Sequence, residues 1–225
     1  MAVTGASNPT PARRDPWWLG RLMWAVVPAL VRAVGRAVWR LRIDASSGFP
    51  NPPFVIAANH FSFLDAFLIA AAHRRKIRFL ALVDLFGNYR TVDVVLVAFD
   101  VIPIRRGGVP LGPVREALDH LAAGGVVGLF PEGTRHWNFD PLRAKRGAAW
   151  LAARAGVPLV PVAIAGTDRV LGVDNRLHRS RIRVTIGPAM IPAGTDRAAA
   201  DALTGTWGRW VATTLGTTQG GGRRW

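Results

Sequence analysis

The chain contains no cysteine, which excludes disulfides, zinc–thiolate and iron–sulfur sites, a thiol nucleophile and a protein-bound thioester. Lysine is almost absent too. Only Lys76 and Lys145 occur, so every other cation is arginine, a bias that a GC-rich coding sequence produces without any function. Acidic groups are scarce, 14 against 29 basic ones, and the net charge of +15 favours anionic partners: phosphates, acidic lipid headgroups, an acidic carrier protein or nucleic acid. Half of the residues are apolar, and the 24 glycines and 16 prolines stay below the roughly 25–30% that marks a disordered composition. A length of 225 residues then suits one compact domain with an appendage.

Residues 1–15 and 216–225 lack an apolar period and read as mobile tails, leaving an N-terminal helical segment at 16–43 and a domain at 44–215. Between Trp17 and Ile43, Trp, Leu and Val dominate. At about 100° per residue, Arg21, Arg32, Arg36 and Arg40 fall within roughly a 100° arc, the pattern of an amphipathic, membrane-associating helix. Its longest stretch without charge, Leu22 to Val31, falls short of the roughly 20 residues that cross a bilayer, and Pro28 is expected to kink it. A signal peptide would need a small-residue cleavage site, and none follows before Arg32. The ordinary alternative is a surface helix packed on the domain.

From Phe54 onward, short apolar runs alternate with helix-like segments. Strands are expected at Phe54–Ala58, Ile77–Leu82, Val101–Ile104, Val126–Phe130, Leu159–Ile164 and Arg181–Ile186. Helices are expected at Ser62–Arg74, Thr91–Ala98, Val109–Ala122 and Lys145–Ala155. This alternation predicts an α/β fold with a mostly parallel sheet covered by helices on both faces. Ligands of such sheets bind at the carboxyl ends of the strands. Polar clusters follow four of the strands: Asn59 and His60; Arg105 and Arg106; Glu132 to Arg135; and Gly166, Thr167 and Asp168.

Each cluster has a bland reading beside a chemical one. Ser62-x-x-Asp65 has the spacing of a capping box, in which Asp65 only returns a hydrogen bond to the start of a helix. In the chemical reading Asp65 holds one nitrogen of His60 so that the other can accept a proton from a hydroxyl, which needs His60 ahead of the helix and Asp65 in its first turn. The two arginines of IPIRRG, Ile102 to Gly107, suit a phosphate through paired charge-assisted hydrogen bonds, but alone they are surface arginines. FPEGTR, Phe130 to Arg135, puts a carboxylate, a hydroxyl and a guanidinium into four residues, and alone is a polar turn.

In this order and spacing the clusters resemble the glycerolipid acyltransferase family, the lysophosphatidate acyltransferases and their relatives. Asn59, His60, Ser62 and Asp65 match its Asn-His-x-Ser-x-x-Asp block, Arg106 the arginine that closes its second block, and Phe130 to Arg135 its Phe-Pro-Glu-Gly-Thr-Arg block without a break. Val157, Pro158, Pro161 and Val162 match a fourth block, and Lys145 to Ala148 a basic-Gly-Ala segment. The likeness extends from about Pro50 to Gly187. His136 stands where the family usually has a small hydroxyl residue, and Arg105 where an acidic one is common, so the acceptor is less defined than the chemistry.

The resemblance implies direct transfer of a fatty acyl group from a thioester, on coenzyme A or acyl carrier protein, to the free hydroxyl of a lysophospholipid, 1-acylglycerol-3-phosphate first among them. It implies His60 as general base oriented by Asp65. Arg106 and Arg135 would hold the acceptor phosphate, and Asn59, Arg105, Glu132, Gly133, Thr134 and Lys145 would line the substrate site. No cofactor or metal is expected beyond the thioester co-substrate. The expected surroundings are an anionic membrane surface on the cytoplasmic face of the cell membrane, with peripheral or monotopic attachment. Other lysolipid or glycolipid acceptors remain open. A nucleic-acid-binding protein lacks the aromatic strand or zinc spacing that would support it, and nucleic acid is not expected as a partner. A basic lipid-binding protein without catalysis, and a metallohydrolase built on His60, Asp65, His73 and Asp84, are the remaining alternatives.

Overall fold

The computed structural model describes residues 17–73, 75–83, 93, 96, 97, 99–105, 111–170 and 180–220. The expected tail at 1–15, residues 221–225 of the tail expected at 216–225, Asp84, Arg106 and most of the expected helix at Thr91–Ala98 lie outside the described residues.

Helix α1 spans Trp17–Trp39 and ends where Arg40 takes a left-handed conformation, φ 47°, which turns the Leu41 N–H back onto the Gly35 carbonyl at 2.9 Å. The chain then enters β1 (Arg42–Asp44), β2 (Phe54–Ala58), α2 (Leu64–His73), β3 (Arg78–Leu82) and β4 (Ile102–Ile104). Next come α3 (Leu111–Ala122), β5 (Val126–Leu129), a 3₁₀ turn at Pro141–Arg143 and α4 (Gly147–Ala155). The described chain closes with β6 (Leu159–Ala165), the short α5 (Thr167–Val170), β7 (Arg183–Ile186) and α6 (Arg197–Gly220). The six expected strands are all present within a residue or two. Four elements go beyond the expectation: the 3₁₀ turn and the short α5, then β1, only three residues long with two of them charged, and α6, whose interior contains Gly205, Gly208 and Gly216. The last continues to Gly220, past the boundary at residue 215 expected for the domain.

The strands form one seven-stranded sheet in the order β1-β7-β6-β2-β5-β3-β4, parallel throughout except for the β6–β7 pair. Central β2 is buried at every position, and its side chains alternate between two cores, as the period of two in a strand requires. Val55 and Ala57 join Val127, Ala117, Leu121, Leu151 and Trp207 under α3, α4 and α6. Phe54, Ile56 and Ala58 join Leu68, Ile69, Val160 and Val162 under α1 and α2. Pro161 lies opposite Ala57 in the register and has no N–H to offer; the indole of Trp207, on α6, donates to the Ala57 carbonyl at 2.9 Å.

The arginines of α1 are divided differently from a simple polar stripe. Arg32 turns inward and donates to the Ala71 carbonyl of α2, and Trp24 and Val31 pack on the core. The opposite face exposes Leu22, Val26 and Leu30, so α1 is apolar on both its packed and its outer side.

At the end of β6, Gly166 has φ 88°, and a Cβ there would collide with the Arg181 carbonyl oxygen. Only glycine fits this close approach between the outgoing chain and the strand that returns beside it.

Candidate active site

The parallel strands β2 and β5 end side by side, so the loops after Ala58 and Leu129 emerge together. His60 leaves β2 and presents its backbone N–H to the Glu132 carboxylate at 2.6 Å, while its carbonyl accepts the His136 N–H at 3.0 Å. The first and third polar clusters are thereby joined through main-chain bonds of His60, leaving its imidazole for other work.

That imidazole stacks on Phe130, with ring centroids 4.0 Å apart and planes inclined by 17°, and Phe79 continues the stack beneath. Its Nδ1 lies 3.0 Å from Asp65 Oδ2. The carboxylate can only accept, so Nδ1 carries the proton and Nε2 is the basic nitrogen. The separation of five residues works because His60 precedes α2 and Asp65 is its second residue. The same Oδ2 accepts the N–H groups of Phe61 and Ser62, each at 2.7 Å. The contacts that the capping and the chemical readings of Asp65 each require are therefore both present: one fully buried oxygen caps the helix and meets His60 Nδ1. The Ser62 hydroxyl accepts the Leu64 N–H at 3.2 Å, as a helix cap does.

Asn59 has a different role from the substrate contact expected of it. It is fully buried, and its amide is clamped to β6, donating to the Ile164 carbonyl at 2.9 Å and accepting the Ile164 N–H at 2.8 Å. It fastens the end of β2 to its neighbour just before the histidine.

Glu132 is 3% exposed, and its Oε1 has no hydrogen-bond partner among the described residues. Burial pushes its carboxyl up to about 7; the His60 N–H opposes the shift, and the nearby Asp65 charge adds to it. The folded protein thus holds a proton on Glu132 over a pH range in which the unfolded chain, with a carboxyl near 4.5, has released it. Stability falls as pH rises across that window, by up to about 3 kcal/mol in total. Glu132→Gln should remove this part of the slope, which urea unfolding of both proteins from about pH 5 to about pH 8 reads directly. Parallel stability curves would show that Glu132 does not carry the linkage.

Gly133 turns at φ 72° with Lys145 against it, so close that a Cβ would stand 3.1 Å from the ammonium nitrogen. Thr134 is exposed. Arg135 lies over the Phe63 ring at 3.6 Å, near enough to Asp65 to feel its charge. Arg143 bonds the His136 ring at 3.1 Å. Arg105 sits at the exit of β4, three strands from β2, or roughly 14 Å at the usual spacing between strands. At the end of β6, the Thr167 hydroxyl is buried with no hydrogen-bond partner among the described residues, and burial raises the carboxyl of Asp168, with Asp65 adding to the shift. Phe130, as the platform under His60, was not singled out from sequence, although it opens the third block. His73, weighed as a metal ligand, instead stands edge-on to Phe49 and Phe54. Among the described residues no three His, Cys, Asp or Glu side chains converge as a metal site would require.

Fold and site together define an α/β protein with a histidine–carboxylate pair at the carboxyl ends of parallel strands, flanked by guanidinium and ammonium groups. The chain belongs to the Acyltransferase family, whose model matches residues 40–165. It is 30% identical over 151 residues to a 1-acyl-sn-glycerol-3-phosphate acyltransferase of Chlamydomonas reinhardtii, an alignment covering 64% of this chain and 44% of that one. A Bacillus subtilis protein of the same description is 32% identical over 125 residues, covering 55% and 59% respectively. The chain thus spans less than half the length of the algal relative. The crystal structure of the 1-acyl-sn-glycerophosphate acyltransferase PlsC of Thermotoga maritima superposes with a TM-score of 0.73 over 95% of this chain and 86% of that one, at 20% identity, and so shares the fold.

Proposed function

We propose that the protein transfers a fatty acyl group from an acyl thioester to the free hydroxyl of 1-acylglycerol-3-phosphate, giving phosphatidate. The observation that carries this reading is the His60–Asp65 pair, with Nδ1 committed and Nε2 left basic at the ligand end of the sheet. His60 Nε2 takes the hydroxyl proton as the oxygen attacks the thioester carbonyl carbon. The tetrahedral intermediate collapses by breaking the C–S bond, and the imidazolium returns the proton to the departing thiolate. Asp65 stabilises the imidazolium throughout. Thiol release from acyl-CoA, measured with and without the lysolipid and with the product identified by mass, tests the reading. Phosphatidate formed by the wild type supports it; thiol release without a lipid product would replace it with thioester hydrolysis.

In this reading Arg135 and Arg106 bind the acceptor phosphate. Arg135→Ala should raise the KM for lysophosphatidate about 10- to 100-fold, the worth of a charge-assisted hydrogen bond, with a smaller change in kcat. An unchanged KM would move the phosphate site away from Arg135.

We also place the enzyme on the cytoplasmic face of the cell membrane, where charged thioester donors are accessible, attached through the outer face of α1. Leu30 on that face is 57% exposed, and Trp137 and Leu142 are further exposed apolar groups near the site. Deleting residues 1–43 would be a poor test, because Trp24, Val31 and Leu41 pack in the core under α1 and α2. Replacing Leu22 and Leu30 together by Asn should instead weaken binding to phospholipid vesicles about 10-fold or more while leaving the core intact. Vesicle binding equal to that of the wild type would detach α1 from the membrane.

A further inference from the structure

At the opposite edge of the sheet from β4 lies a groove of about 490 Å³ lined by Arg36, Leu41, Arg42, Ile43, Asp44 and Arg183. Arg42 and Arg183 are direct neighbours in the β1–β7 register, and Arg36 approaches from the last turn of α1. All three guanidinium groups are exposed, and none stands within ion-pair distance of a carboxylate among the described residues. Asp44, the one acid in the groove, accepts the Ser46 N–H at 3.1 Å. Arg40 adds a further exposed cation in the turn between α1 and β1. The dipole of α1 accounts for Arg36 near its C-terminus, but not for Arg42 and Arg183, which are on strands. Converging like charges repel, and a bound anion relieves the repulsion.

Topology sets where such an anion would sit. Because β7 runs antiparallel to β6, Arg183 lies opposite Ala165, the last residue of β6. The groove therefore opens at the same end of the sheet as His60, with β7 and β1 two and three strands from β2, roughly 10–14 Å away. Arg36 brings to it the last turn of α1, the helix whose outer side exposes Leu22, Val26 and Leu30.

We propose that this groove is a binding site for the phosphate of an anionic phospholipid headgroup in the bilayer, separate from the acceptor site and holding the catalytic end of the sheet against the membrane. Planar guanidinium groups pair with phosphate oxygens through two parallel hydrogen bonds, and arginines from two strands and a helix offer such forks from three directions. The proposal rests on membrane attachment through α1, and the test separates the two.

The full chain and its Arg42→Ser/Arg183→Ser variant are sedimented with vesicles of phosphatidylcholine alone and of phosphatidylcholine with phosphatidylglycerol. An Arg115→Ser/Arg154→Ser variant, which removes two exposed arginines from helices on the other sheet face, serves as the control for charge. The wild type should bind the neutral vesicles through α1 and the anionic ones more tightly. The groove variant should lose about 30-fold in affinity for the anionic vesicles and keep neutral binding, while the control loses less than about 3-fold. Equal losses in the two variants would reduce the effect to general charge, and an undiminished anionic preference in the groove variant would remove the site. Saturable binding of inorganic phosphate by the wild type but not by the groove variant, with equal binding of the two to anionic vesicles, would reassign the groove to a soluble phosphate ligand. Absence of neutral binding with the anionic preference intact would overturn attachment through α1 and leave the groove standing.

Discussion

Replacing His60 by Ala should reduce acyl transfer about 1,000-fold or more, the upper part of the range for a general base, while the protein melts near the wild-type temperature. The separation of the two effects follows from how the residue is held. What His60 contributes to the fold is main chain: its N–H donates to Glu132 and its carbonyl accepts from His136, and both bonds survive truncation of the side chain. The imidazole itself is 17% exposed, stacked on Phe130 and tied to Asp65, so its removal opens a gap at the surface of the site rather than in either core. Comparing kcat for thiol release with thermal unfolding of the same preparations checks both halves. An H60A protein with full transfer activity would end the proposed mechanism, and one that is inactive only because it is unfolded would contradict the main-chain argument.

The parts of the molecule that were legible in the sequence are those where a local pattern and a tertiary demand coincide. The strands around β2 read as strands because burial on both faces makes them continuous apolar runs, and the loops after them read as a site because polar residues interrupt those runs at once. The role of Asp65 was legible only as two competing possibilities, since spacing cannot tell whether a carboxylate faces its own helix start or a side chain before it; three donors converging on Oδ2 show that it does both. The buried clamp from Asn59 to Ile164 spans 105 positions and leaves no local trace. Helix α6 did carry a helical period, with Ala200, Leu203, Trp207, Val211 and Leu215 all buried, but its glycines and threonines have low intrinsic propensity and hid it. Strand β1 is short and charged at both ends, and it exists because Arg183 to Thr185 offer it an edge.

Asp65 tests the coupling of fold and chemistry more severely than His60. Asp65→Asn keeps the shape and one acceptor. With the amide oxygen in place of Oδ2 it still meets His60, Phe61 and Ser62, but the negative charge that stabilises the imidazolium is gone, and the amide NH₂ occupies the buried position of Oδ1, which has no partner among the described residues. With the amide reversed, NH₂ faces three N–H donors, a worse arrangement. The expected result is a loss of about 100- to 10,000-fold in kcat, as when the carboxylate of a histidine pair is neutralised, with little change in KM for either substrate. Stability should fall by about 1–3 kcal/mol, because hydrogen bonds to a charged acceptor become bonds to a neutral one and a buried donor is left unpaired. Asp65→Ala, which leaves the Phe61 and Ser62 N–H groups without an acceptor, should be less stable than Asp65→Asn yet no less active. Activity that tracks stability across the two variants would make Asp65 a cap alone. Activity lost equally in both, with stability lost unequally, would show that its charge serves the reaction and its geometry serves the helix.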